Sequence, residues 1–177
     1  MRRVAAVLCV LLAACSHNVD GRPRSLPTPT SGHGPTTTTP FAPSAISTPP
    51  SAQSQLTNVT AGDHDGFTRV VFTFADAVPG YSLKPANPPF VQDGSGARIA
   101  VRGNAFLALR LLARAHDDDG KSAAPVAIAS VSSALLEVRR TGDFEGVVNY
   151  VLGLSGTKGF RTFTLAFPSR LVVDIAD

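Results

Sequence analysis

Short apolar and alternating runs dominate the chain after residue 55, and they predict strands rather than helices. At 68–74, Val70, Phe72 and Phe74 occupy every second position, which is the period of a strand with one buried face. Residues typical of turns separate the similar runs, which lie at 56–60, 81–85, 135–140, 147–154, 160–167 and 171–175. Several short strands at this spacing predict an all-β domain, a small β-sandwich of two sheets.

Three other segments are less regular. The leucine-rich run 106–112 fits period two and lacks flanking helix caps, so we predict a strand there. The turn sequence DGSG at 93–96 predicts a small hairpin between 90–91 and 98–101. The alanine-rich segment 122–132 stays unassigned between a short helix and irregular structure.

Two acidic turns precede strands of similar pattern. DHDG at 63–66 leads into 67–74, and DFEG at 143–146 leads into 147–154. The repetition indicates either a pseudo-symmetric pair of sheets or a chance similarity, since Asp and Gly recur in turns for backbone reasons.

The first residues of the chain predict a signal peptide. Arg2 and Arg3 precede an apolar run over 4–14, shorter than the roughly 20 residues that span a bilayer. The sequence LAAC at 12–15 resembles the lipobox of bacterial lipoproteins, in which the cysteine thiol receives a diacylglycerol and the chain is cut before it. We therefore expect residues 1–14 to be removed and Cys15 to hold the protein on the outer face of the cell membrane, because two or more acyl chains anchor stably. The alternative is an ordinary secretory signal with an incidental cysteine.

Residues 15–54 are rich in Pro, Thr, Ser and Gly, which predicts a disordered linker. Residues 55–177 then form a single folded domain. Because Cys9 leaves with the signal peptide and Cys15 carries lipid, no thiol is left for a disulfide. Loss of Arg2 and Arg3 lowers the basic count from 16 to 14 against 13 acidic residues, so the net charge falls to +1 and a nucleic-acid role has little support.

The residues give little indication of catalysis. His64 and His116 are too far apart for an H-E-x-x-H zinc motif, and no G-x-S-x-G is present. The acidic run at 117–120 lacks the spacing of a calcium loop. Carboxylates for glycoside cleavage would require the two acidic turns to meet in space. We therefore predict no enzyme, metal or cofactor, and keep a wall hydrolase or transferase as the third hypothesis.

Three motifs indicate a family. RVVFTF at 69–74, VPGY at 78–81 and PSRLVVDI at 168–175 resemble the AMIN domain, and the whole stretch 63–175 resembles the AMIN-like lipoproteins of actinobacteria. The sequence differs from ordinary AMIN domains by an insertion at about 85–140 and by the lack of an amidase or secretin domain. The resemblance implies a β-sandwich outside the cytoplasmic membrane, associated with cell-wall peptidoglycan.

We expect the binding candidates to be exposed side chains on a strand face or a loop, because Arg, Asn and Tyr hydrogen-bond glycan hydroxyls or peptide carboxylates. They are Arg69, Tyr81, Arg139, Asn149, Tyr150 and Arg170. The leading hypothesis is a non-catalytic, membrane-anchored lipoprotein whose domain binds peptidoglycan. The alternative is an envelope protein that binds another protein through a sheet edge or face.

Overall fold

The computed structural model describes residues 39–129 and 131–177. Cys15, the signal peptide and the first part of the predicted linker lie outside these residues. The described residues contain thirteen strands: β1 Ile46–Ser47, β2 Ser54–His64, β3 Phe67–Phe74, β4 Tyr81–Ala86, β5 Phe90–Val91, β6 Arg98–Ile99, β7 Ala105–Leu111, β8 Ala113–Arg114, β9 Ala127–Ala129, β10 Leu135–Phe144, β11 Val147–Leu154, β12 Phe160–Leu165 and β13 Arg170–Ala176. Within this part of the chain, no helix is long and apolar enough to cross a membrane.

The strands form two packed sheets and a small hairpin. The first sheet has the order β1-β4-β7-β11-β10-β9, the second has the order β12-β13-β3-β2-β8, and β5 pairs with β6. All of these pairs are antiparallel except β2 with β8. The predicted all-β sandwich and the predicted strand at 106–112 are confirmed. The unassigned segment 122–132 contributes β9, and its described residues form no helix.

The core lies between the two sheets and follows the period-two pattern. In β3, Val70, Phe72 and Phe74 are buried while the intervening residues are half-exposed. The Phe72 ring meets the Tyr150 ring of the first sheet edge-on, with centroids 5.4 Å apart, a favoured aromatic arrangement. Burial of a large apolar side chain stabilises a fold by about 1.5–3 kcal/mol, so these inward faces hold the sheets together.

The two acidic turns belong to equivalent hairpins. The turn at 63–66 joins β2 to β3 in the second sheet, and the turn at 143–146 joins β10 to β11 in the first. Gln55, near the start of β2, donates to the His116 carbonyl at 3.3 Å, and the His116 ring bonds Asp143. Because the other end of the 11-residue β2 is His64, the two turns lie about 30 Å apart at opposite ends of the sandwich. This arrangement agrees with the pseudo-symmetric alternative.

The segment 39–53, which we assigned to the linker, packs along one side of the sandwich. Ala42 forms a bridge with Phe160, and Ile46 and Ser47 pair with β4. Ile46 packs against the core, so this short stretch buries apolar surface where a composition rich in Pro, Thr and Ser predicted a disordered linker. We name 39–53 the N-terminal strap. Residues Thr38–Asp177 form one compact unit that includes the strap and the whole described core.

Candidate functional site

The chain between β4 and β7 crosses the outer face of the first sheet. It carries the β5–β6 hairpin, and we name residues 87–104 the crossing segment. The Phe90 ring packs edge-on against the Phe106 ring at 5.0 Å. Nearer β7, the Arg102 amide donates to Glu137 Oε2 at 2.8 Å, and the Asn104 amide donates to the Leu154 carbonyl at 2.8 Å. The segment is therefore fastened to the sheet along its length.

Two glycines allow the crossing segment to approach the sheet so closely. A Cβ atom added at Gly142 would collide with the Asp93 carboxyl group, and one added at Gly153 would collide with the Arg102 carbonyl oxygen. Asp93 Oδ2 in turn accepts a hydrogen bond from Asn149 Nδ2 at 2.8 Å. The contact at Gly142 and Asn149 fixes the position of Asp93 above the sheet.

Strand alternation determines which side chains face the crossing segment. The core takes Leu107, Leu109 and Leu111 of β7, so the intervening side chains of β7 point outward. Antiparallel pairing then sets three rows of neighbours across β4, β7 and β11 on this outer face: Ser82, Arg110 and Asn149; Lys84, Ala108 and Val151; Ala86, Phe106 and Gly153. The small side chains in these rows leave a depression in the sheet surface.

The depression and its surroundings form two adjoining pockets. One, of about 360 Å³, is lined by Lys84, Ala108, Arg110 and the apolar side chains of Pro89, Phe90 and Val91. The other, of about 420 Å³, is lined by Arg139, Ile99 and Val126 among others. Asp93 and Thr141 line both. We name the two together the outer groove and the first alone the hairpin pocket.

The basic side chains of the outer groove differ in their partners. Arg139 Nε and Nη2 each lie 2.8 Å from Glu137 Oε1, and Glu137 is nearly buried. Lys84 and Arg110 are exposed, and neither side chain forms a hydrogen bond or an ion pair with any described residue. Two cations without a partner among residues 39–129 and 131–177 are thus available on one wall of the hairpin pocket.

A different charge cluster lies on the outer face of the second sheet. The fully buried Asp174 carboxylate accepts from Arg69 Nε at 2.7 Å and Nη2 at 2.9 Å, and from Arg161 Nη2 at 3.0 Å. The Phe67 and Phe163 rings lie 5.0 and 5.2 Å from the Arg69 guanidinium. Arg161 on β12 and Arg69 on β3 lie directly opposite Asp174, which is on the central strand β13. One carboxylate therefore links the three strands.

This ion pair joins the RVV motif at Arg69 to the RLVVD motif at Asp174, which are distant in sequence and adjacent in the sheet. The family model of the AMIN-like domain matches residues 54–177, more than half of the chain. The chain belongs to the AMIN-like family. A search of curated proteins finds no match. Membership of this family indicates an extracytoplasmic location and a role in the cell envelope.

Within this AMIN-like domain, the outer groove collects three of the six predicted binding residues. The side chains of Arg139 and Asn149 lie in it, and Tyr150 contributes to its lining. The Tyr150 ring itself points into the core, and its hydroxyl donates to the Pro125 carbonyl at 2.9 Å. Burial raises the pKa of Tyr150 to about 12, despite the nearby positive charge of Arg140, which lowers it.

The other three predicted residues lie elsewhere. Tyr81 is buried between the sheets, where its hydroxyl lies 2.9 Å from Thr162 Oγ1. Arg69 is bound to Asp174, and Arg170 Nε donates to the Pro168 carbonyl at 3.3 Å. Ligand contact at the six positions stays a prediction.

Three groove residues, Lys84, Asp93 and Arg110, are absent from the predicted binding residues. The alternation of β7 offered a signal for Arg110, which lies between the core residues Leu109 and Leu111. The signal for Lys84 is weaker, because it follows the core residue Leu83 and precedes an exposed proline. Asp93 gave no such signal, because only the path of the crossing segment brings it to Asn149.

The acidic turns do not form a carboxylate pair in this AMIN-like domain, because they lie at opposite ends. Asp143 instead accepts from the Ala115 amide at 3.2 Å and contacts His116 Nδ1 at 2.8 Å. In the run at 117–120, Asp117 Oδ1 accepts from the amides of Asp119 and Lys121, as in an ordinary Asx turn. Among the described residues, no three His, Cys, Asp or Glu side chains converge on a metal position. AMIN-like domains are generally non-catalytic targeting domains.

Proposed function

We propose that this chain is a non-catalytic lipoprotein, anchored through acyl chains on Cys15 to the outer face of the cell membrane, whose AMIN-like domain binds cell-wall peptidoglycan through the outer groove. The observation that carries the proposal is the outer groove itself, in which basic side chains that pair with no described residue meet an apolar wall on one sheet face. Polar groups beside apolar surface are the usual composition of a recognition site. The envelope role of the family supplies the setting.

The groove offers direct contacts to a wall polymer. Arg110 and Lys84 donate to carboxylates or hydroxyls, and charge-assisted hydrogen bonds of this kind are about twice as strong as neutral ones. Arg139 lines the adjoining pocket and remains partly exposed at 35 % of its side chain while bound to Glu137. The linker between Cys15 and the N-terminal strap would let the domain reach away from the membrane.

Co-sedimentation with purified cell-wall sacculi tests the proposal. The compact unit Thr38–Asp177 is incubated with sacculi across a salt series, beside an unrelated domain of similar net charge. We expect the unit to pellet specifically and Arg110→Gln to reduce pelleting. Lys121→Gln removes the same charge from an exposed loop and should pellet as the parent does. Failure of the parent unit to pellet, or equal losses in both variants, contradicts peptidoglycan binding through the outer groove.

Cys15 is tested separately on the full chain in cells. Metabolic labelling with a radioactive fatty acid should mark the parent chain, and Cys15→Ser should abolish the label and release the protein from the membrane fraction. A chain that stays labelled after this substitution contradicts the anchor.

A second candidate function is the binding of another envelope protein through a sheet edge. Along 161–165, β12 pairs with β13 on one side, and no described strand pairs with its other side. The adjacent turn leaves Phe167 94 % exposed, beside a recess of about 710 Å³ between the β3–β4 and β12–β13 connections. An open edge next to an exposed aromatic side chain suits strand addition. If the parent unit does not bind sacculi, pull-down from envelope extracts with Phe167→Ser as the control is the decisive comparison.

A further inference from the structure

The hairpin pocket has an unusual distribution of charge. Lys84 and Arg110 lie on adjacent strands in successive outward rows, which makes them diagonal neighbours. Like charges at this separation repel each other, and no described acidic side chain pairs with either. The fold gains nothing from this pair of cations, and an anionic ligand group would remove their repulsion.

The wall formed by the crossing segment carries a negative charge. Asp93 is the one carboxylate among the described residues that line the hairpin pocket. Its Oδ2 accepts from Asn149, while Oδ1 accepts no hydrogen bond from any described residue. Asp93 is exposed, so Oδ1 is free to accept from a ligand cation. Its position is fixed by the close contact with Gly142.

Apolar surface separates the two charged walls. Ala86 and Ala108 form the floor on the sheet, and Phe90 and Val91 approach from the hairpin. The Phe90 ring is already held edge-on by Phe106. A small aliphatic side chain fits this surface, because it displaces water without requiring further hydrogen bonds.

The spacing of the walls sets the size of the ligand. Asn149, which holds Asp93, lies on β11, one strand from Arg110 on β7 and two strands from Lys84 on β4. Neighbouring strands are about 4.8 Å apart, so the backbones that carry Arg110 and Lys84 lie about 5 and 10 Å from the backbone of Asn149. A dipeptide extends for about 7 Å, with its ammonium at one end and its carboxylate at the other.

We propose that the hairpin pocket binds a short zwitterionic peptide, with its carboxylate on Lys84 and Arg110 and its ammonium on Asp93. This inference rests on the proposed function and narrows the recognised wall component to its peptide rather than its glycan. Neutral sugar hydroxyls would leave both cations and the carboxylate without a counter-charge. A short peptide with a free ammonium and a free carboxylate satisfies all three.

Nuclear magnetic resonance titration of the ¹⁵N-labelled Thr38–Asp177 unit with alanyl-alanine tests the proposal. We expect saturable shift changes at amides of β4, β7 and the crossing segment. N-acetylation or C-terminal amidation of the dipeptide each removes one charge and should weaken binding about tenfold. Asp93→Asn retains an acceptor for Asn149 and should lose the preference for the free ammonium. Arg110→Gln should lose the preference for the free carboxylate, and Lys121→Gln should bind as the parent does.

Tetra-N-acetylchitotetraose, a neutral glycan, serves as the competing probe. Shifts at the hairpin pocket with this glycan and none with alanyl-alanine overturn the inference. Equal affinity for the dipeptide and its two blocked forms also overturns it. If the parent unit pellets with sacculi but ignores the dipeptide, the peptide inference fails while the proposed function stands. If it binds the dipeptide and does not pellet, the pocket assignment stands while the wall-binding proposal fails.

Discussion

The buried carboxylate of Asp174 makes the strongest stability prediction. Its side chain is inaccessible to solvent, and it accepts hydrogen bonds from two guanidinium groups whose side chains are 29 % and 14 % exposed. Asp174→Asn replaces one acceptor oxygen with an amide group that donates, so it faces the donors of Arg69 or Arg161. Breaking a buried ion pair by removal of one partner costs about 3–5 kcal/mol. Partial solvation of the arginines places the expected loss near the lower end of that range.

The expected loss of stability is measurable by thermal unfolding. A unit of about 140 residues has an unfolding entropy near 0.3 kcal/mol/K, from roughly 2.1 cal/mol/K per residue. A loss of about 3 kcal/mol therefore lowers Tm by about 10 °C. Circular dichroism of Thr38–Asp177 during heating measures this shift, and urea unfolding gives an independent free energy.

Two variants control this experiment. Asp76→Asn changes an exposed carboxylate without an ion pair among the described residues, and should stay within about 0.5 kcal/mol of the parent. Arg69→Met leaves Asp174 paired with Arg161 and should cost less than Asp174→Asn. A Tm within about 2 °C of the parent for Asp174→Asn would refute the argument that this carboxylate ties the three strands together.

Three further predictions concern other parts of the domain. Burial raises the pKa of Tyr150 from 10.0 to about 12, so the neutral hydroxyl contributes its full stability below pH 10. We expect the free energy of unfolding to fall by about 2–3 kcal/mol as the pH rises toward 12. Urea unfolding at each pH should show this fall in the parent, and Tyr150→Phe should lack this contribution. Gly142→Ala should displace Asp93 and destabilise the domain by about 1–3 kcal/mol, measured by urea unfolding, whereas Gly62→Ala meets no atom within 4 Å and should be tolerated. Deletion of the N-terminal strap 39–53 removes the packing of Ile46 and the contact of Arg161 with the Phe41 ring at 4.3 Å. A fragment that starts at residue 54 should therefore be about 2 kcal/mol less stable than Thr38–Asp177 in the same assay. Equal stability of the two fragments would contradict a structural role for the strap.

Local pattern was sufficient for most of the strands. The alternation at 68–74 and 147–154 predicted β3 and β11 within a residue of their observed bounds. It could do so because alternating burial along a strand is visible in adjacent residues of the sequence. The same alternation predicts that Tyr150 points inward, because it shares a strand face with the buried Val148 and Leu152. We nevertheless expected an exposed side chain at Tyr150. The residue type is ambiguous, because tyrosine combines an apolar ring with a polar hydroxyl.

The candidate site depended much more on contacts between distant residues. Asp93 meets Asn149 across 56 positions, and Asp174 meets Arg69 across 105. Such pairings require knowledge of strand order and of the path of the crossing segment. A register shift between Arg140 and Gly142 in β10 makes the outward-facing residues of that strand harder to predict from sequence. A bulge changes which side chains face outward after it.

Residues close along the chain encode the all-β class, the position of most strands and the motifs that define the family, so these features were predictable from the sequence. The contact of Arg69 with a buried carboxylate, and the pocket that Lys84, Asp93 and Arg110 line, became visible in the folded structure. The folded structure also showed that residues 39–53 pack on the domain, where composition predicted a linker. The physical reason is that strand periodicity is a local property, whereas pairing of charges and closure of a pocket depend on the register of strands that are far apart in sequence.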